Sequence, residues 1–277
     1  MSTEYGFIIL RDVPKEEARI DVFFSEIEGG FRGFQLVPAG VHYVSVQVEG
    51  THKGFWCYLQ PNEAIVKVFN SSVQQFEDDE PKNTAHYQQL ALAGAMGQVL
   101  IPYEQDSGTI WEQLTNYISS RDFPPPLHQE ESINPPDNLS SEELSEWMQK
   151  PKKSRFEQAL FDTHGGDTTA FLAELQFAFI RWFIDNEDIE ALNRWRHLLQ
   201  AIYNAGERGI AKAPDLFPNL IDLLVLQFDY LEDEMFTPNS FVVYGAEYLA
   251  EDMIDSDIEE VVEKGREFEN YLEERGV

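Results

Sequence analysis

The chain of 277 residues has room for two domains of ordinary size, and its 43% hydrophobic and 13% aromatic content fills packed cores, which excludes disorder throughout. Fifty acidic residues against twenty basic ones give a net charge of −30. Such a surface repels phosphate backbones and anionic lipid, so direct nucleic-acid and membrane binding are disfavoured. The same field suits a basic protein partner; solubility alone, or a salt-rich cytoplasm, accounts for it equally.

Residues 1–70 read as strands. Gly6–Leu10 and Arg19–Phe24 are short runs rich in Ile, Val and Phe, and Phe31–Val48 alternates around the turn signal Pro38-Ala39-Gly40. Gly50–Gly54 reads as a further turn before a strand over Phe55–Leu59, and Pro61-Asn62-Glu63 returns the chain into Ala64–Phe69. Closely spaced strands with such turns predict an antiparallel sandwich or open barrel. The polar, acidic stretch 71–83 reads as a loop, 84–96 as a helix, and Thr109-x-x-Glu112 as a capping box opening a helix through Trp111, Leu114, Tyr117 and Ile118. Cys57, alone in its residue type and set in an apolar run, is expected to be a buried, inert thiol. An N-terminus without a basic region, and no apolar stretch near the ~20 residues that span a bilayer, predict an intracellular protein, cytoplasmic or, in a eukaryote, nuclear.

Pro124-Pro125-Pro126 and Pro135-Pro136 forbid helix and favour an extended spacer, so 123–139 is expected to link a domain over 1–122 to one over 140–277. A prolyl ligand for an SH3-type module is the alternative, but no arginine flanks the run in the usual way. Beyond the linker the pattern is helical. Ser140-x-x-Glu143 caps a short helix, and Thr163-His164-Gly165-Gly166-Asp167 is a break. Apolar stripes then follow from Phe171, Ile189, Leu220, Asn239 and Ile258, the second stopped by Gly206 and Gly209. The fold class expected is therefore α+β multidomain: a β-rich, sandwich- or barrel-like N-terminal domain followed by an all-α domain, a bundle or solenoid-like layer, with no repeat period across its helices.

A search for chemistry returns little. There is no Gly-x-Gly-x-x-Gly, Walker lysine loop, His-Glu-x-x-His or Gly-x-Ser-x-Gly, and no two of the six histidines stand at i, i+4. Catalytic, cofactor and metal residues are accordingly expected to be none. Asp21 and His42 stand out as polar residues inside apolar runs. Both would face solvent in an alternating strand, or form a buried pair bonded to turn amides. A catalytic couple would need a nucleophile that the sequence does not nominate.

The order of several short motifs resembles one known family. Ile20-Asp21, followed by Gly33-Phe34-Gln35-Leu36-Val37-Pro38-Ala39-Gly40-Val41-His42, is similar to the N-terminal signature of the Aar-two-like cistron-splicing factors, assembly factors of the U-five small nuclear ribonucleoprotein. Ala39 stands where that family has a second proline. Ile101-Pro102-Tyr103, Trp111-Glu112-Gln113-Leu114-Thr115, Glu174-Leu175-Gln176 and Trp195-Arg196-His197-Leu198-Leu199 match further family segments in the same order. The resemblance implies a β-rich domain before a helical one, no enzyme activity, no cofactor, and binding to the central scaffold protein of the spliceosome during assembly. In a prokaryotic relative the partner would be a different protein. Asp21, Pro38, Gly40, His42, Trp111, Glu174, Gln176 and Trp195 carry the motifs and are expected to be structural.

Overall fold

The computed structural model describes residues 5–14, 17–27, 29–129, 140 and 154–277. They fall into two compact units, residues 1–124 and 125–277. Most of the expected linker (130–139) and the helix expected from Ser140 to Gln149, beyond Ser140 itself, lie outside the described residues.

In the first unit the apolar runs become nine strands: β1 (Tyr5–Arg11), β2 (Glu17–Ile20), β3 (Phe23–Glu26), β4 (Gly33–Pro38), β5 (Gly40–Val48), β6 (Thr51–Leu59), β7 (Ala64–Asn70), β8 (Gln75–Asp78) and β9 (Ile101–Pro102). They form one sheet in the order β8-β7-β1-β4-β9 and a second in the order β3-β2-β5-β6. The two-sheet, β-rich architecture is as expected, but the first sheet is mixed rather than antiparallel. β1 pairs parallel to β7, and β4 pairs parallel to β9. The chain alternates between the sheets, from β1 to β2 and β3, back to β4, on to β5 and β6, and back to β7.

Residues Ile8, Ile9 and Leu10 of β1 are all fully buried. Ile8 and Leu10 enter the core shared with Ile20, Phe34, Val44 and Leu59, whereas Ile9 faces Ala91, Met96 and Leu100 on the outer side. The helix α1 (Pro81–Leu92) covers that outer face, so β1 reads as a continuous apolar run instead of an alternating one. Burying each such side chain contributes about 2 kcal/mol.

Several expected boundaries move. Arg19–Phe24 is two strands, broken at Asp21, whose φ is +55°. β6 starts at Thr51, so the turn is Glu49-Gly50, both at positive φ, and the run to Gly54 is strand. The acidic loop contains β8, which Phe76 anchors on Phe55 and Phe69. Helix α1 begins at Pro81, a residue suited to a first helical turn. Helix α2 (Gln105–Thr115) begins four residues before Thr109, whose hydroxyl bonds the Gln105 carbonyl from inside the helix and does not cap it.

The second unit opens with a capping box, Ser154 with Glu157, on the turn Arg155–Glu157. A wider helical turn, Gln158–Thr163, follows. Then come α3 (Thr168–Ile184), α4 (Ile189–Tyr203), α5 (Gly206–Lys212), α6 (Leu216–Phe228), α7 (Ala246–Ile254) and α8 (Glu259–Glu274). Asp167 and Asp188 accept the Ala170 and Ala191 amides and so cap α3 and α4. Helix α3 was expected to bury one stripe; every residue from Phe171 to Ile180 is buried, because the other elements surround it. Gly206 and Gly209 do not merely stop α4; they lie in α5. Of the stretch 239–253, only the part from Ala246 is helical, beginning after Gly245 at a φ of +101°. No helix among the described residues is long and apolar enough to cross a membrane.

Candidate functional site

In the first unit the strand order gathers the polar residues that interrupt apolar runs. Asp21 sits on the β2–β3 turn and His42 on β5, which lies beside β2. Both side chains are buried. Asp21 Oδ2 receives His42 Nδ1 at 2.7 Å and the Tyr103 hydroxyl at 2.7 Å, and Oδ1 accepts the Tyr43 amide at 2.9 Å. The other ring nitrogen of His42, Nε2, lies 2.7 Å from the Pro38 carbonyl.

A carboxylate and a carbonyl are both acceptors, so each His42 nitrogen carries a proton and the ring is an imidazolium. Burial works against that charge, but the Asp21 carboxylate and the Pro38 carbonyl together raise the His42 pKa above its ordinary value. Burial and the same carboxylate push the Tyr103 hydroxyl far up, so it stays a donor.

Pro38 and Gly40 form the corner at which the chain leaves the first sheet for the second, with Gly40 at a φ of +141°. Trp111 of α2 closes over the corner, its indole N–H donating to the Val41 carbonyl at 2.7 Å. An open cavity of about 230 Å³ adjoins it, with Pro38, His42, Tyr103, Trp111 and Glu112 in its wall. The His42 nitrogen that a general base would use is already engaged with Pro38, and among the described residues no serine, threonine or cysteine hydrogen-bonds to either His42 nitrogen. Cys57 is buried and its thiol pushed up by burial and by Asp21, as expected of an inert core thiol.

The second unit holds its own buried centre. Glu174, fully buried on α3, accepts from Arg194 of α4 at 2.7 Å (Nε to Oε1) and 3.0 Å (Nη2 to Oε2). It also accepts from His164 Nε2 at 2.7 Å and from the His128 backbone N–H at 2.6 Å. Burial alone would raise this carboxyl. The bonds from His164 and Arg194, with the Arg194 charge and the His128 amide, hold it down at about 2. His128, His164 and Glu174 place one possible ligand atom each within 4.8 Å of one another. Gln176 is buried on the same helix. Trp195 donates to Gln227 Oε1 at 2.9 Å and stacks on Trp182 at 5.3 Å.

Among the motif residues, Asp21, His42, Pro38 and Trp111 with its corner, Glu174 with Arg194, and Trp195 with Gln227 make three hydrogen-bonded centres. Tyr103, Arg194, His164 and His128 are the members that residue types alone did not single out. Arginine and histidine on a polar helix face or in a glycine loop are ordinary surface residues by pattern; the one signal available was that a glutamate in an otherwise apolar helix needs a cationic partner.

Buried charged centres, Asp21 with His42 in the first unit and Glu174 with Arg194 in the second, hold together the elements of a two-unit α+β protein. Residues 4–125 match the family model described as the AAR2 N-terminal domain, and residues 127–276 match the one described as the AAR2 C-terminal repeat region. The chain therefore belongs to the AAR2 family, the one its motifs resembled. A repeat in the helical half, named in the second description, had left no period in the sequence. The chain is similar to the Protein AAR2 homolog of Caenorhabditis elegans, 28% identical over 91 residues, which are 32% of this chain and 26% of that protein. The match covers about a quarter of the relative's length.

Proposed function

We propose that this protein is a non-enzymatic assembly factor that binds the central scaffold protein of the U-five small nuclear ribonucleoprotein and keeps other partners away until the particle matures. The observation that carries the reading is the state of His42. Its two nitrogens face a carboxylate and a carbonyl, each at 2.7 Å, which leaves no lone pair to take a proton from a substrate. The family motifs then serve the framework, and recognition falls to the surface. A net charge of −30 supports a partner with basic character, through complementary fields that raise the encounter rate. It opposes contact with the RNA itself.

The test uses the full chain and the scaffold protein of the same organism. Mixed at micromolar concentration and passed through size exclusion, they are expected to co-elute in equal amounts, and nuclease treatment leaves the complex intact. Independent elution, or dissociation by nuclease, overturns the proposal.

A further inference from the structure

The Glu174 centre has one feature that the ion pair with Arg194 does not explain. His128 Nδ1 is buried and has no hydrogen-bond partner, although it lies 3.2 Å from Glu174 Oε2. The approach is too oblique for a hydrogen bond to that oxygen, which leaves a buried ring nitrogen unsatisfied beside a carboxylate. A buried nitrogen without a partner costs free energy that a cation held by its lone pair would recover. The third ligand atom, His164 Nε2, is 2.7 Å from the same oxygen, and the two rings meet edge to face with centroids 5.0 Å apart.

We propose that His128, His164 and Glu174 form a binding site for one divalent transition ion of the zinc type. Two imidazoles and one carboxylate are a donor set for zinc; magnesium and calcium take oxygen ligands instead. Donor atoms about 2 Å from one tetrahedral ion stand roughly 3.3 Å apart. The His128–Glu174 pair already has that spacing, and His164 reaches it by withdrawing about half an ångström. Arg194 remains on Glu174 as the outer group that orients a ligating carboxylate. It also cancels the carboxylate's charge, so the ion adds net positive charge locally; the field of a chain carrying −30 opposes that penalty. The His128 side chain is one-third exposed, which gives the ion a way in and leaves the fourth position to water. With its backbone N–H already on Glu174, His128 would be fixed to α3 at two points.

The experiment uses the whole chain, stripped with chelator and dialysed against zinc chloride at pH 7.5, with protein-bound metal quantified. One zinc per chain is expected, with affinity reduced at least tenfold in His128→Ala and unchanged in His86→Ala. A cobalt-loaded wild-type chain provides the second measurement, needing no variant: visible absorption of a four-coordinate site, and paramagnetic broadening of the His128 and His164 ring signals. Absence of retained metal, retention unchanged by His128→Ala, or cobalt broadening centred on other histidines each overturns the site. So does a His128 ring whose signals titrate identically with and without zinc, because no ion is then bound to its nitrogen.

Discussion

At the scale of single residues, the Asp21–His42 pair shows how a buried charge is made tolerable. Asp21 accepts from His42, Tyr103 and the Tyr43 amide, and His42 donates at both nitrogens, so every polar atom removed from water has a partner. Removing one partner leaves the other charge buried alone, and Asp21→Asn is expected to destabilise the first unit by about 3 kcal/mol in urea unfolding. The pair also gives the unit a pH dependence of defined sign. The His42 pKa is raised by folding, chiefly by Asp21 against the effect of burial. Its contribution is therefore complete below the ordinary histidine value of about 6.5 and is lost as pH rises through the higher folded value. Protection of the β5 amides against hydrogen exchange, corrected for the intrinsic pH effect, is expected to fall across that window. In His42→Phe this slope disappears; a slope retained in the variant contradicts the assignment. Asp21 and His42 were legible in the sequence because each breaks an apolar run. Tyr103, 82 positions from Asp21, was not, because a tyrosine next to a proline has no pattern that reveals what its hydroxyl meets.

At the scale of elements, close approach of backbones decides where glycine is obligatory. A Cβ on Gly33 would stand 2.0 Å from the Ile8 carbonyl oxygen, at a φ of +122°, at the end pair of the β1–β4 ladder, where Gly33 faces Ile9. A Cβ on Gly40 meets nothing within 4 Å although its φ is +141°. Gly33→Ala is thus expected to cost at least about 3 kcal/mol and Gly40→Ala roughly 1, strain without collision. Equal losses in a denaturant titration would show that the contact with Ile8 is not what fixes Gly33. The strands themselves were readable from alternation and turn residues, but their partners were not. Ala64–Asn70 follows Thr51–Leu59 after a tight turn, as a hairpin would, yet β7 joins β1 of the other sheet in parallel. The same tertiary pull moved the start of α2 to Gln105, where a capping box at Thr109 would have begun it later.

At the scale of the whole molecule, the charge of −30 sets a self-repulsion that salt screens, with a Debye length of about 10 Å at 0.1 M. Basic residues are distributed as local staples: Lys264 bridges Asp222 and Glu267, and Arg275 reaches Asp229 and Asp233. These exposed pairs contribute little each, so the net effect of salt is relief of repulsion. Raising sodium chloride from 10 to 150 mM is expected to raise the melting temperature by a few degrees. A fall would mean that the attractive pairs outweigh the net charge.

Composition and pattern by themselves determined the class of fold, a β-rich half before a helical half, and the order of the motifs determined the family. Both rest on local properties: alternation, helical spacing, turn chemistry and the cost of burying charge. Only the tertiary structure decided which strands pair, that α3 is buried on all sides, and that His128, His164, Glu174 and Arg194 meet. Those outcomes depend on contacts between residues far apart in the chain, where the free energy belongs to a pair and neither sequence neighbourhood holds half of it.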